Sequence, residues 1–134
     1  MLNYILIGLG GAAGSITRFW ASGLIANRFG KTFPWGTLFV NVTGSFIISA
    51  FATLTAPHGL WLVGVYGRNL FMTGFCGGYT TVSSFSLQTL NLAQDEEWLY
   101  AFNNAVSNLL LCLAAAWAGH SLVLKSSSVA AKGH

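Results

Sequence analysis

The sequence contains very few charged side chains. Six basic and three acidic residues make up only 7% of its 134 residues, whereas roughly 25% of an ordinary soluble domain is charged. Apolar residue types account for 54% of the chain. So few charges could not cover a water-exposed surface without leaving large apolar patches, which soluble monomers avoid. The composition therefore excludes an ordinary soluble domain and predicts an integral membrane protein.

Acidic residues are scarce, and all three are consecutive, at Asp95, Glu96 and Glu97. Because they fall in a predicted loop, no carboxylate is available at membrane depth to carry protons or to bind a cationic substrate. Neither a Ser–His–Asp arrangement nor an HExxH motif is present, so we do not expect an enzyme. The glycine-rich residues 8–13 imitate a dinucleotide-binding fingerprint, but the acidic residue that should follow about 20 positions later is missing.

Cysteine and clustered basic residues are scarce as well. Cys76 and Cys112 lie inside apolar runs without CxxC or Cys/His spacing, so we interpret them as packing residues rather than as a disulfide or a metal site. The six basic residues are dispersed and form no patch of the kind that binds nucleic acid. These absences exclude nucleic acid as a partner and leave the lipid bilayer.

Four stretches are long and apolar enough to cross a bilayer, which takes about 20 helical residues. Short turn-like segments separate them. The predicted fold is an all-α integral membrane protein with one domain over residues 1–124, and residues 125–134 are expected to form a disordered tail. The predicted transmembrane helices are residues 2–25, 35–54, 60–90 and 98–124, with a break in the third near residues 74–80.

Positive charge is almost equally divided between the two ends of such a bundle. Arg28 and Lys31 lie at one end, and Lys125 and Lys132 lie at the other. The positive-inside rule needs an asymmetry of Lys and Arg to fix one orientation. We therefore expect insertion in both orientations and an antiparallel, dual-topology homodimer. A single orientation set by a small bias is the alternative.

Glycine is abundant, with 16 residues, and its spacing suits helix contact. Gly10 and Gly14, like Gly74 and Gly78, have the small-xxx-small spacing that lets helices approach closely, within one chain or between two. The glycine cluster in residues 73–81 predicts a broken helix, whose freed carbonyl groups need protein, water or an ion as partners. In an antiparallel pair these carbonyls could converge on a cation; a glycine-rich crossing without an ion is the alternative.

Neutral polar residues recur on three of the predicted helices, where they either hold helices together or line a wet path. Arg18 and Arg68 could attract an anion at the mouths of such a path, although Arg18 could instead extend to the membrane surface. The ring edge of Phe85 is a further positive element. Hydroxyl and amide donors without acids favour a small anion. The polar residues are Thr37, Asn41, Ser45 and Ser49; Thr80, Thr81, Ser83, Ser84, Ser86 and Gln88; and Asn104, Ser107, Asn108 and Cys112.

Three segments resemble the signature blocks of the CrcB/Fluc fluoride channels. They are GGAAGSITR at residues 10–18, GTLFVNVTGSF at residues 36–46 and TGFCGGYTTVSSFS at residues 73–86, of which the last is highly specific. The resemblance implies an antiparallel homodimer, here in the bacterial inner membrane, that exports fluoride passively and so gives fluoride resistance. It also implies two pores and a structural sodium ion (Na+) at the dimer centre.

The resemblance also implies roles for individual residues. Gly77 and Thr80 match the positions whose backbone carbonyls hold the sodium ion. Asn41 matches the pore-facing asparagine, Phe85 the second pore phenylalanine, and Arg18 the basic residue of the first helix. The other residues that we expect to line the pore are Thr81, Val82, Ser84, Ser107 and Asn108.

Two other functions remain open on the sequence alone. A coupled exporter of the small multidrug type also has four short spans, but it would need a carboxylate within the membrane. A non-conducting scaffold subunit would bury its polar residues between helices and would leave no continuous path. We expect a fluoride-selective channel.

Val82 stands where the family pattern TTFSTF has phenylalanine. Because valine has no ring quadrupole to present to an anion, we expect an intact fold with impaired conduction and faster conduction by Val82→Phe. Fluoride efflux from liposomes containing either protein, at matched protein per lipid, measures the difference. Equal rates would refute this expectation.

Overall fold

The chain folds into helices joined by short segments. The structure is a computed structural model that describes residues 1–57 and 59–132, and this part of the chain contains no strand. The all-α prediction is confirmed. The elements are α1 (Leu2–Phe29), α2 (Trp35–Leu54), α3 (Val65–Arg68), the π-helical segment π1 (Asn69–Cys76), α4 (Gly77–Tyr79), α5 (Val82–Gln94) and α6 (Trp98–Lys132).

Local sequence accounts for the boundaries of the first two helices. α1 stops at Gly30, whose φ of 95° is a left-handed conformation that costs glycine little. Pro34 precedes α2 and, having no N–H, leaves no donor unpaired there. After α2, the hydroxyl of Thr55 accepts a hydrogen bond from Arg68 Nη1 at 2.7 Å, and its carbonyl accepts another at 2.6 Å. Arg68, expected at a mouth, thus caps the carboxyl end of α2, where a cation suits the helix dipole.

One interruption divides the helical residues 65–94. α3, π1 and α4 are continuous, whereas Thr80 (φ −87°, ψ 158°) and Thr81 (φ −153°, ψ 114°) are extended. We expected the break near residues 74–80; Thr80 lies at the end of that range, whereas the glycines within it are helical. Thr81 then begins α5, because its Oγ1 accepts a hydrogen bond from Ser84 N at 3.1 Å, as a helix N-cap does.

α6 is longer than the fourth predicted span. It continues to Lys132, so residues 125–132 are helical rather than disordered as we expected, and residues 133–134 lie outside the described residues. In the described chain, Trp35–Leu54 and Trp98–Val129 are long and apolar enough to cross a membrane. α1 has 28 residues, which exceeds the roughly 20 needed to span a bilayer. It contains more glycine than either α2 or α6.

Glycine brings α1 into backbone contact with π1 and α4. A Cβ atom built on Gly78 would lie 3.1 Å from the Cα atom of Gly11, and one built on Gly10 would lie 3.0 Å from the Cα atom of Gly74. The glycine spacing noted in the sequence therefore serves a contact within the chain. α2 lies against both α1 and α6, and α5 lies against α6.

The buried interior is small and nearly half polar. Large apolar side chains lie on the outside instead; Phe19 is 84% exposed and Trp117 is 73% exposed. An apolar exterior of this kind suits contact with lipid or with another protein. The buried apolar residues are Ala21, Phe33, Leu38, Val40, Cys76, Tyr79 and Ala101, and the buried polar residues are Thr37, Asn41, Thr55, Thr81, Asn104 and Asn108.

We expect Gly78→Ala to destabilise the protein by about 1–3 kcal/mol, because the added methyl group would press on the backbone of Gly11. Gly8→Ala is the matched control, since nothing lies within 4 Å of a Cβ atom at Gly8 and alanine is the better helix former. Thermal unfolding in detergent measures both variants. The same unfolding temperature for the two would contradict the close contact of α1 with α4.

Candidate functional site

The side chain of Asn41, on α2, binds the backbone of the extended residue Thr81. Asn41 Oδ1 accepts a hydrogen bond from Thr81 N at 2.7 Å, and Asn41 Nδ2 donates to the Thr81 carbonyl at 3.0 Å. Both residues are buried, and an unpaired backbone group would be costly there. Asn41 thus supplies hydrogen-bond partners for the N–H and the carbonyl of Thr81, which have no helical partners at the interruption.

Two asparagines of α6 extend this network. Asn41 Nδ2 also donates to Asn108 Oδ1 at 3.0 Å, and Asn108 Nδ2 donates to the Oδ1 and the carbonyl oxygen of Asn104, at 2.9 and 3.1 Å. Asn104 Nδ2 donates to Thr89 Oγ1 at 2.8 Å, and Thr89 Oγ1 donates to the Phe85 carbonyl at 2.8 Å. Asn41, Asn108 and Asn104 form what we name the amide relay. It connects α2, α6 and α5.

The amide hydrogens of Asn41 and Asn108, two of the predicted pore residues, are all used in hydrogen bonds within the protein. A side-chain amide has two N–H hydrogens. Those of Asn41 go to the Thr81 carbonyl and to Asn108, and those of Asn108 both go to Asn104. Neither Asn41 nor Asn108 has a hydrogen left for a ligand in this arrangement.

Available donors lie beside Thr81 in a cavity of about 230 Å³, named the Arg18 cavity. Ser84 Oγ accepts from Thr81 Oγ1 at 3.1 Å, so the hydroxyl hydrogen of Ser84 is free to donate to a ligand. Gln88 Oε1 is buried and has no hydrogen-bond partner within the described chain. With an arginine and no acidic residue in its wall, the cavity favours an anion. Its lining residues are Arg18, Phe19, Ser22, Thr37, Val40, Thr81, Ser84 and Gln88.

The Arg18 cavity is the middle one of three adjoining spaces. On one side it shares four lining residues with a vestibule of about 850 Å³, at the end of the bundle that carries Lys31, Asp95 and Glu97. On the other side it shares Thr81 with a central groove of about 440 Å³. The three spaces therefore form a series from one end of the bundle to the interruption. The residues shared with the vestibule are Phe19, Ser22, Thr37 and Gln88.

The central groove brings together most of the residues predicted for the site. Val82 is 74% exposed there, so the groove is open on one side. Arg18 and Ser84 line the Arg18 cavity instead. Ser107 is half-buried and lines none of the three spaces, so the structure does not bring it to the other predicted residues. The predicted residues in the groove are Asn41, Gly77, Thr80, Thr81, Val82, Phe85 and Asn108.

The carbonyl oxygens of Gly77 and Thr80 have the character of cation ligands. In a continuous helix they would accept from the N–H groups of residues 81 and 84. Here Thr81 N donates to Asn41, and Ser84 N donates to Thr81 Oγ1. Within the described residues no cluster of three His, Cys, Asp or Glu side chains could hold a metal ion. Backbone oxygens of this kind suit an alkali cation, so the residues present fit a sodium ion.

Gln88 belongs to the polar series predicted on the third helix, but our predicted pore residues did not include it. It lines both the Arg18 cavity and the vestibule, and its oxygen is unpartnered. The signal was its spacing, because Gln88 follows Ser84 by four residues and so lies on the same helix face. Helical spacing alone does not reveal which face of α5 meets a cavity.

Residues 5–120 match the family described as "CrcB-like protein, Camphor Resistance (CrcB)". Three similar proteins are each described as "Fluoride-specific ion channel FluC". The protein from Opitutus terrae is 62% identical over 120 residues, covering 90% of this chain and 91% of the relative. Those from Rhodospirillum rubrum and Paramagnetospirillum magneticum are 52% and 53% identical, and the matches cover 89% and 90% of this chain and 92% and 94% of the relatives.

We expect Asn41→Leu to destabilise the protein by about 3 kcal/mol, because it leaves both backbone groups of Thr81 and the oxygen of Asn108 buried without partners. Amide hydrogen exchange at Thr81 should accelerate, as seen by mass spectrometry in detergent. Ser45→Ala is the control one turn along α2, since Ser45 Oγ donates only to the Asn41 carbonyl of its own helix. Equal exchange at Thr81 in the two variants would disprove the role given to Asn41.

Proposed function

We propose that this chain, which belongs to the CrcB-like family, is a fluoride-selective channel that exports fluoride passively and so protects the cell from fluoride. The family and the apolar helices make it a membrane protein. The relatives' names support fluoride as the transported ion. The observation that carries the proposal is the Arg18 cavity, whose lining includes Arg18 and Ser84, with its free hydroxyl, and no acidic residue.

Fluoride would enter through the vestibule and give up water as it reaches the Arg18 cavity. Arg18 attracts the anion, and the free hydroxyl of Ser84 donates a hydrogen bond to it. Gln88 spans the boundary between vestibule and cavity, and its amide nitrogen offers further donors. Because fluoride is smaller than chloride and accepts stronger hydrogen bonds, closely spaced O–H and N–H donors in a narrow space favour fluoride.

From the Arg18 cavity the anion would pass Thr81 and reach the central groove beside Phe85. The amides of Asn41 and Asn108 are already occupied there, so the positive ring edge of Phe85 is the available partner in that stretch. Val82 adds an apolar wall without a ring. Entry by hydrogen bonding followed by weaker contacts keeps the anion from being trapped.

The open side of the central groove supports association with a second copy. Val82 is mostly exposed, and the small interior leaves large apolar residues outside. The near balance of basic residues at the two ends supports insertion in both orientations, which makes the pair an antiparallel, dual-topology homodimer. We place it in the bacterial inner membrane as a multi-pass protein.

The carbonyls of Gly77 and Thr80 are proposed to hold the structural sodium ion in this pair. Both residues line the central groove, and the interruption frees their oxygens from helical bonding. Two copies would together supply the oxygen ligands. A bound sodium ion would offset the partial negative charge of these carbonyls and join the two copies at the interruption.

Fluoride efflux from liposomes containing the purified protein tests the function. We expect rapid fluoride release, retention of chloride and no need for a proton gradient. Release that requires a proton gradient would instead indicate a coupled exporter. Absence of any fluoride release would overturn the proposal and favour a scaffold subunit.

The same assay includes two arginine variants. Arg18→Gln should slow fluoride efflux about tenfold at low salt, with a smaller effect at high salt where the charge is screened. Arg68→Gln is the matched control, because Arg68 caps α2 and its loss should lower the unfolding temperature rather than the rate per active channel. Equal slowing by both variants would argue against Arg18 as the attracting charge.

A further inference from the structure

Asn104 is a buried residue for which the proposed conduction path has no use. It is 0% exposed, and it lines neither the vestibule, the Arg18 cavity nor the central groove. It nevertheless joins α6 to α5 through Thr89 and to the rest of the amide relay through Asn108. A residue with these contacts can act on the path only through its neighbours.

The hydrogen bonds of Thr89, at the α5 end of the amide relay, determine which way the nitrogen and oxygen of each side-chain amide point. Thr89 Oγ1 donates its single hydrogen to the Phe85 carbonyl, so it can only accept from Asn104. Asn104 must therefore turn its nitrogen toward Thr89 and its oxygen toward Asn108. Asn108 in turn presents its nitrogen to Asn104 and its oxygen to Asn41.

The other end of the relay requires the same direction. Thr81 N needs an acceptor, and Asn41 Oδ1 supplies it at 2.7 Å. Asn41 Nδ2 then faces the Thr81 carbonyl and Asn108. Because both ends agree, reversing the amide of Asn104 alone would set donor against donor and acceptor against acceptor.

The relay also holds α5 at two places. Thr81, bound by Asn41, and Thr89, bound by Asn104, are two helical turns apart, or about 12 Å along the axis. Val82, Ser84 and Phe85 lie between them, and these residues line the Arg18 cavity and the central groove. Small shifts of α5 would therefore move the donors and the ring that face the anion.

We propose that Asn104 is a positioning residue for anion selection. Without contacting the anion, it holds the Asn108 amide in the direction that Asn41 and Thr81 also require, and through Thr89 it fixes the placement of Ser84 and Phe85. The position requires a group that donates on one side and accepts on the other, and a neutral amide does both. This inference rests on the proposed function.

Fluoride efflux from liposomes that contain on average less than one channel each tests the inference. The fraction of liposomes that release fluoride then measures how much of the protein is active. The rate of release from those liposomes measures conduction by each active channel. Asn104→Leu should slow fluoride release per active channel about tenfold and lower the ratio of fluoride to chloride permeability. Asn103→Leu is the control, since Asn103 is the exposed neighbour on α6 and should behave as the unsubstituted protein.

Asn104→Asp supplies a second readout in case Asn104→Leu does not fold. Burial disfavours the charged carboxylate, and a neutral carboxyl can donate to Thr89 while it accepts from Asn108. Fluoride release by Asn104→Asp should therefore recover toward that of the unsubstituted protein as the pH falls from about 8 to about 5.5.

Four outcomes would refute either the inference or the proposed function. If Asn104→Leu lowers only the fraction of active liposomes, with rate and selectivity unchanged, the inference is wrong. It is also wrong if Asn104→Asp follows the pH profile of the unsubstituted protein or stays inactive at every pH. Failure of the unsubstituted protein to release fluoride would refute the proposed function instead.

Discussion

The pairing of Asn41 with the backbone of Thr81 is the interaction on which the rest of this structure depends. Extended residues in the middle of an apolar bundle have N–H and C=O groups without helical partners, and lipid cannot satisfy them. A side-chain amide offers one acceptor and two donors in a fixed plane, so a single asparagine satisfies both groups of Thr81 and still reaches Asn108. The interruption is stable because this partner is buried beside it.

Thr81 also divides the polar interior into two parts with different roles. Toward α6, the amides of the relay are all bound to one another, and they hold α2, α5 and α6 together. Toward α1, the hydroxyl of Ser84 and the side chain of Gln88 keep unused bonding capacity beside Arg18. Polar residues at membrane depth thus act in both ways here, as bonds between helices on one side and as possible ligand contacts on the other.

The glycines make this arrangement compact without forming the interruption themselves. Gly10 and Gly78 let the backbone of α1 lie directly against π1 and α4, which positions Arg18 on the same side as Ser84. The close packing leaves little apolar interior, so the exposed side chains and the open central groove need lipid or a second copy to cover them.

Composition and local pattern determined the class of this protein: a membrane protein of helices, without carboxylates at membrane depth, with glycine contacts and polar faces. Those features depend on residue type and on spacing along one helix, which a sequence displays directly. The sequence placed the interruption near residues 74–80, and within that range the structure keeps the glycines helical against α1 and extends the chain at Thr80, with Thr81 following. Tertiary structure alone decided which amides were occupied and which donors stayed free, because the partners of Asn41, Asn104 and Gln88 lie on other helices or at cavity walls. Hydrogen bonding is directional and short in range, so such partners become known only when the helices are packed.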